Sequence, residues 1–128
     1  MKKLFLFGVA AMTASVLISS CKKSDPVSIV GRWNMVDQVY TSNGISDTTI
    51  ASQGDYADFR ADGKLILGNN LTPSDTSAYS ISNSKLYITY SNGGGNDTLQ
   101  IQSLTLNSLK LYQADPANNS SWTINMSR

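Results

Sequence analysis

Residues 76–91 read TSAYSISNSKLYITYS, and in their second half Leu86, Ile88 and Tyr90 alternate with Lys85, Tyr87 and Thr89. A period of two puts the first three on one face of an extended segment. Asn83-Ser84 separates this strand, at 85–91, from another at 76–82, and the spacing is that of a tight hairpin turn. The stretch is therefore a β-hairpin.

The same pattern repeats in both directions along the chain. Upstream, GDYADFR at 54–60 and KLILG at 64–68 flank Asp62-Gly63, where glycine supplies the positive φ of a short turn. Downstream, DTLQIQSLTL at 97–106 turns at Asn107-Ser108 into LKLYQ at 109–113. A final strand at 120–126 aligns Trp122, Ile124 and Met126. The first strand, GRWNMVDQVY at 31–40, places Trp33, Met35 and Val39 on one face and Asn34 and Gln38 on the other, with Asp37 interrupting the apolar side. Polar stretches at 41–53, 69–75 and 92–96 read as loops, the last because Gly93, Gly94 and Gly95 lose much backbone entropy on ordering.

Eight short strands joined mostly by tight turns make an all-β antiparallel meander. Closing it into a small barrel removes the two exposed edges, so a barrel is expected, with a β-sandwich as the alternative. The short strands, whose second faces carry Ser, Thr, Asn and Gln, do not suit an outer-membrane barrel with its apolar exterior.

The N-terminus has a different character. Lys2 and Lys3 precede an apolar run from Leu4 to Ile18, too short for a comfortable membrane span but suited to a secretory signal. It ends in Ile18-Ser19-Ser20-Cys21, which resembles the lipobox of bacterial lipoproteins: an aliphatic residue, two small ones, then the acceptor cysteine. Cys21 is the single cysteine of the chain, so it has no internal disulfide partner, and acylation removes a reactive thiol. The resemblance implies cleavage after residue 20 and lipid on Cys21. The expected organisation is thus a signal peptide at 1–20, a lipidated tether at 21–28 and one domain at 29–128. Lys22 after the cysteine resembles the outer-membrane default of such proteins, which implies a lipid-anchored protein of the cell envelope.

Composition narrows the chemistry. Ten Lys and Arg face nine Asp and no Glu, without a basic stripe, which argues against nucleic acid as a partner. With no histidine and the one cysteine expected to be acylated, the usual general base, thiol nucleophile and soft metal ligands are missing. Asp55, Asp58 and Asp62 gather around one hairpin, but their spacing departs from a calcium loop, and they read as solvated strand and turn residues. No enzyme activity, cofactor or metal is expected. Asp47-Thr48-Thr49 and Asp97-Thr98-Leu99 resemble an O-glycosylation pattern of some bacterial envelope proteins.

Gly31-Arg32-Trp33 at the start of the first strand resembles the Gly-x-Trp motif of the lipocalins. Phe59-Arg60-Ala61-Asp62-Gly63-Lys64-Leu65 and the run from Ile101 to Leu111 extend the likeness to the small lipocalin-like domains of bacterial lipoproteins, over about residues 29–126. In that family the tryptophan plugs the closed end of the barrel, and an arginine from the last strand region lies across it; Trp33 and Arg128 are the matching positions. The chain is shorter than a typical lipocalin and has no evident C-terminal helix.

The resemblance implies binding of a small hydrophobic or amphipathic ligand. Met35, Phe59, Tyr79, Tyr90, Trp122 and Met126 are the candidate cavity residues, although the same side chains could simply fill the interior. The competing reading is a solid-core scaffold that binds a protein or glycan of the envelope through its loops.

Overall fold

The computed structural model describes residues 26–128 of the 128-residue chain; Cys21, the expected signal peptide at 1–20 and most of the expected tether lie outside the described residues. Among the described residues nine antiparallel strands follow in order: β1 (Gly31–Ser42), β2 (Ile45–Ile50), β3 (Tyr56–Phe59), β4 (Lys64–Asn69), β5 (Thr72–Ser82), β6 (Lys85–Tyr90), β7 (Asn96–Leu104), β8 (Ser108–Asp115) and β9 (Ser120–Ser127). A single 3₁₀ turn, Pro116–Asn118, links the last two strands.

Eight of these strands close on themselves. Each strand from β3 to β8 pairs with the next, and β1 pairs with β3 through Gly31–Asn34 and with β9 through Asn34–Ser42. This seals the cylinder and pairs backbone groups that an open sheet would leave at its edges. The barrel, rather than the sandwich, is the fold.

β2 is the ninth strand and corrects the reading of 41–53 as loop. β1 runs for 12 residues, but β3 covers only its first four on that side, so the edge at Asp37–Ser42 would stand bare. β2 pairs with it there, after a turn at Asn43-Gly44 with φ of 50° and 83°. Both faces of β2 are exposed, including Ile45 and Ile50 at 76% and 73%. Nothing in its sequence alternates, because neither face packs against a core.

A second correction concerns β1. Its register against β9 shifts between Met35 and Asp37, a β-bulge that takes Val36 out of the ladder. Beyond the bulge the faces exchange: Gln38 opposes Ile124 and joins the interior, while Val39 opposes Thr123 on the other face. The stretch 69–75 is likewise mostly strand, since β5 starts at Thr72.

The core fills one half of the barrel. Trp33, Ala57, Phe59, Leu65, Leu86, Leu109, Leu111 and Met126 are buried there with Ile29, which precedes β1 and tucks under the end of the cylinder. The turns at 60–63, 83–84 and 105–107 surround this closed end, and the turns at 43–44, 70–71, 91–95 and 116–119 surround the opposite, open end.

Candidate functional site

Trp33 closes one end of the barrel. Its side chain is 0% exposed, and its indole N–H donates to the Ile29 carbonyl at 2.8 Å, which bends residues 29–33 across the base. The Arg128 guanidinium lies over the ring, 4.0 Å from its centroid. Its three nitrogens donate to the carbonyls of Leu106 (2.9 Å), Val30 (2.9 Å) and Ser28 (3.1 Å). One side chain thus ties the incoming segment and the β7–β8 turn to the plug. Gly31 makes room for it: φ is +126°, and a Cβ at this position would stand 3.0 Å from Arg128 Nη1.

Above this plug lies a cavity of about 210 Å³. Phe59, Leu65, Leu86 and Met126 form its floor, and Met35, Leu67, Ile88, Leu99, Leu111 and Ile124 form its walls. Toward the open end the lining turns polar, with Gln38, Gln113, Tyr90 and Asp97. The Tyr90 hydroxyl donates to Asp97 Oδ2 at 2.8 Å. Burial first, then this hydrogen bond and the aspartate charge, push the Tyr90 phenol up to about 12, so it stays protonated at neutral pH. At the rim Trp122, 41% exposed, stacks against Tyr40 with ring centroids 4.5 Å apart.

Of the residues singled out in the sequence, Met35, Phe59, Tyr90 and Met126 border the cavity. Tyr79 lies outside it, edge-on to Phe59 at 5.1 Å, with its hydroxyl donating to the Arg60 carbonyl at 2.7 Å. Its phenol is also raised, by burial and then by the charges of Asp62 and Asp58. Trp122 stands at the rim rather than in the wall. Asp97 and Gln113 were readable from alternation with Leu99 and Leu111, but Gln38 was hidden by the bulge.

The hairpin aspartates disperse. Asp58 pairs with Arg60 at 3.6 Å, Asp62 with Lys64 at 3.9 Å, and Asp55 accepts from Ser52 and Asn69. A wider groove of about 590 Å³ runs outside the barrel between residues 27–30 and Tyr79, Ile81, Ile101 and Leu104. It is open along its length, whereas the interior cavity encloses what enters it, and enclosure removes more ligand surface from water.

The model of the lipocalin-like domain family matches residues 29–111. The chain belongs to the lipocalin-like domain family. This lipocalin-like barrel resembles a solved lipocalin-like protein from Bacteroides uniformis ATCC 8492, with 16% identity and a TM-score of 0.53 over 75% of this chain and 96% of the other. It also resembles a protein from Bacteroides eggerthii DSM 20697, with 13% identity and a TM-score of 0.50 over 77% and 98% of the two chains. At such identities the likeness is one of fold. No curated protein matches the chain.

Proposed function

We propose that this protein is a lipoprotein, anchored through lipid on Cys21 to the outer membrane of a bacterial cell envelope, and that its barrel binds a small hydrophobic or amphipathic molecule without reaction. The observation that carries the binding reading is the enclosed apolar cavity with a polar mouth. Its size bounds the ligand: about 210 Å³ exceeds the roughly 150 Å³ that accepts benzene and is below the roughly 300 Å³ at which pockets for drug-sized molecules begin. Family membership supports the same reading.

The charge distribution suits an anchor at the closed end. Arg32, Arg60, Lys64, Lys85, Lys110 and Arg128, all the cations of residues 26–128, lie in the half of the barrel that residues 27–30 lead into. A basic base favours an anionic membrane surface, and the mouth then points away from it.

Thermal-shift screening of the purified protein against small apolar and amphipathic compounds tests the binding. A ligand at a hundredfold its Kd adds about 2.7 kcal/mol of stability. Absence of stabilisation by every compound that fits the cavity would remove the reading.

The outer edge of β2, unpaired among the described residues and with Ile45 and Ile50 exposed, favours a second reading, a module that recruits an envelope protein or glycan through the open-end loops. Cross-linking in the envelope then traps one reproducible neighbour at β2, and failure to do so counts against it.

A further inference from the structure

The charges of the barrel are sorted along its axis. Against the six cations at the closed end stand Asp58 and Asp62, Asp37 lies at mid-height where it accepts from Asn125, and Asp47, Asp55, Asp75, Asp97 and Asp115 occupy the open half with no Lys or Arg. A cleft whose charges share one sign and whose walls are apolar concentrates the field at its mouth. This mouth is negative.

One of these carboxylates belongs to the cavity itself. Asp97 opposes Ile88 across β6 and β7, on the face that carries Leu99 inward, and it borders the cavity among apolar walls. Tyr90 holds Oδ2, and among the described residues Oδ1 has no donor and no cation lies within ion-pair distance of either oxygen. The other polar groups of the mouth, Gln38 and Gln113, are neutral amides that add no charge.

We propose that the cavity selects small cationic amphiphiles: a primary ammonium donates to Asp97 at the mouth, and a short apolar tail lies between Ile88, Leu99 and Ile124. The proposal rests on the cavity being a binding site and adds the charge of what enters it. A carboxylate of the same size meets repulsion from Asp97 and the acidic rim, and an alcohol gains the apolar contacts and a hydrogen bond to the carboxylate but no pairing of opposite charges.

Hexylamine, 1-hexanol and hexanoate share one tail and differ in head charge, so calorimetric titration of the purified protein with each isolates the head. We expect the amine to bind at least tenfold more tightly than the alcohol, and hexanoate most weakly. Asp97→Asn lowers amine affinity at least tenfold and leaves hexanol within threefold, which also reports that the variant is folded. Tyr90→Phe keeps the carboxylate and therefore keeps the preference for the amine. Equal binding of amine and alcohol, or an amine affinity unmoved in Asp97→Asn, overturns the proposal while leaving the cavity as a site. Binding of none of the three compounds overturns the cavity reading as well.

Discussion

Arg128 and Trp33 are 95 positions apart in the chain, yet the guanidinium of one lies 4.0 Å from the ring centroid of the other and hydrogen-bonds three backbone carbonyls around it. The contact closes the barrel base. Hydrogen bonds from a charged donor contribute about 1.5–3 kcal/mol, and their partial exposure puts this set toward the lower end. Arg128→Ala is expected to cost about 2 kcal/mol and roughly 10 °C in Tm. Arg128→Lys recovers less than half of it, because one ammonium cannot reach three carbonyls in a plane. Thermal unfolding of both variants checks this.

Gly31 is coupled to the same contact. Gly31→Ala forces a side chain into a positive φ and against Arg128 Nη1, at a cost of about 1–3 kcal/mol. In the double variant with Arg128→Ala the clash is gone and only the backbone strain remains. The double variant should cost less than the sum of the two single variants by at least about 0.5 kcal/mol in a double-mutant cycle, and strict additivity would contradict the packing described.

The β5–β6 turn holds Asn83 and Ser84 at φ of 52° and 63°. Both central residues of a two-residue turn are left-handed, a geometry for which Asn-Gly is the favoured pair. Ser84→Gly should raise stability by about 0.5 kcal/mol, measured by denaturant midpoint at unchanged m-value.

Above neutral pH, Tyr90 sets a slope. Its phenol is raised to about 12 in the folded protein against 10.0 in an unperturbed phenol. A folded value above the unfolded one contributes stability that is complete below pH 10 and is lost as pH rises toward 12, because the unfolded chain releases its proton first. Denaturation between pH 9 and 12 should show a decline that is shallower in Tyr90→Phe. Part of the decline persists, since the Tyr79 phenol is raised as well. An identical slope in Tyr90→Phe would remove Tyr90 as its source.

Much of this fold was legible because a half-buried strand writes its geometry as alternation. Leu86 and Ile88 are buried as their spacing predicts, and the hairpins turn at Asp62-Gly63, with Gly63 at positive φ, and at Asn83-Ser84, with both residues at positive φ. β2 was illegible for the same reason: with both faces in water, ISDTTI has no core to mark. The bulge at Val36 left no glycine or proline as a signal, so strict alternation carried Gln38 to the outside when it lines the cavity. Tyr79 and Trp122 fell outside the cavity because aromatic size does not reveal depth along the barrel axis. Asp97 opens the strand at 97–106, and its spacing from Leu99 and Ile101 puts it on their face; that this face lines a cavity there follows only from the closure of the barrel.

Anchoring has its own test. Cys21→Ala in the full-length chain is expected to move the protein from the membrane pellet to the soluble fraction of the envelope, and mass spectrometry of the unaltered protein should find acyl groups on Cys21. An unmodified Cys21 would contradict the lipoprotein reading without touching the barrel.

The proposed binding site is the interior of the barrel and not its outer surface. NMR titration of the purified protein with 1-hexanol addresses it directly. Saturable shifts centred on Met35, Leu67, Ile88, Leu99 and Ile124 are expected. Shifts confined to Val27, Val30 and Ile81 along the outer groove, or no shifts at all, would contradict it.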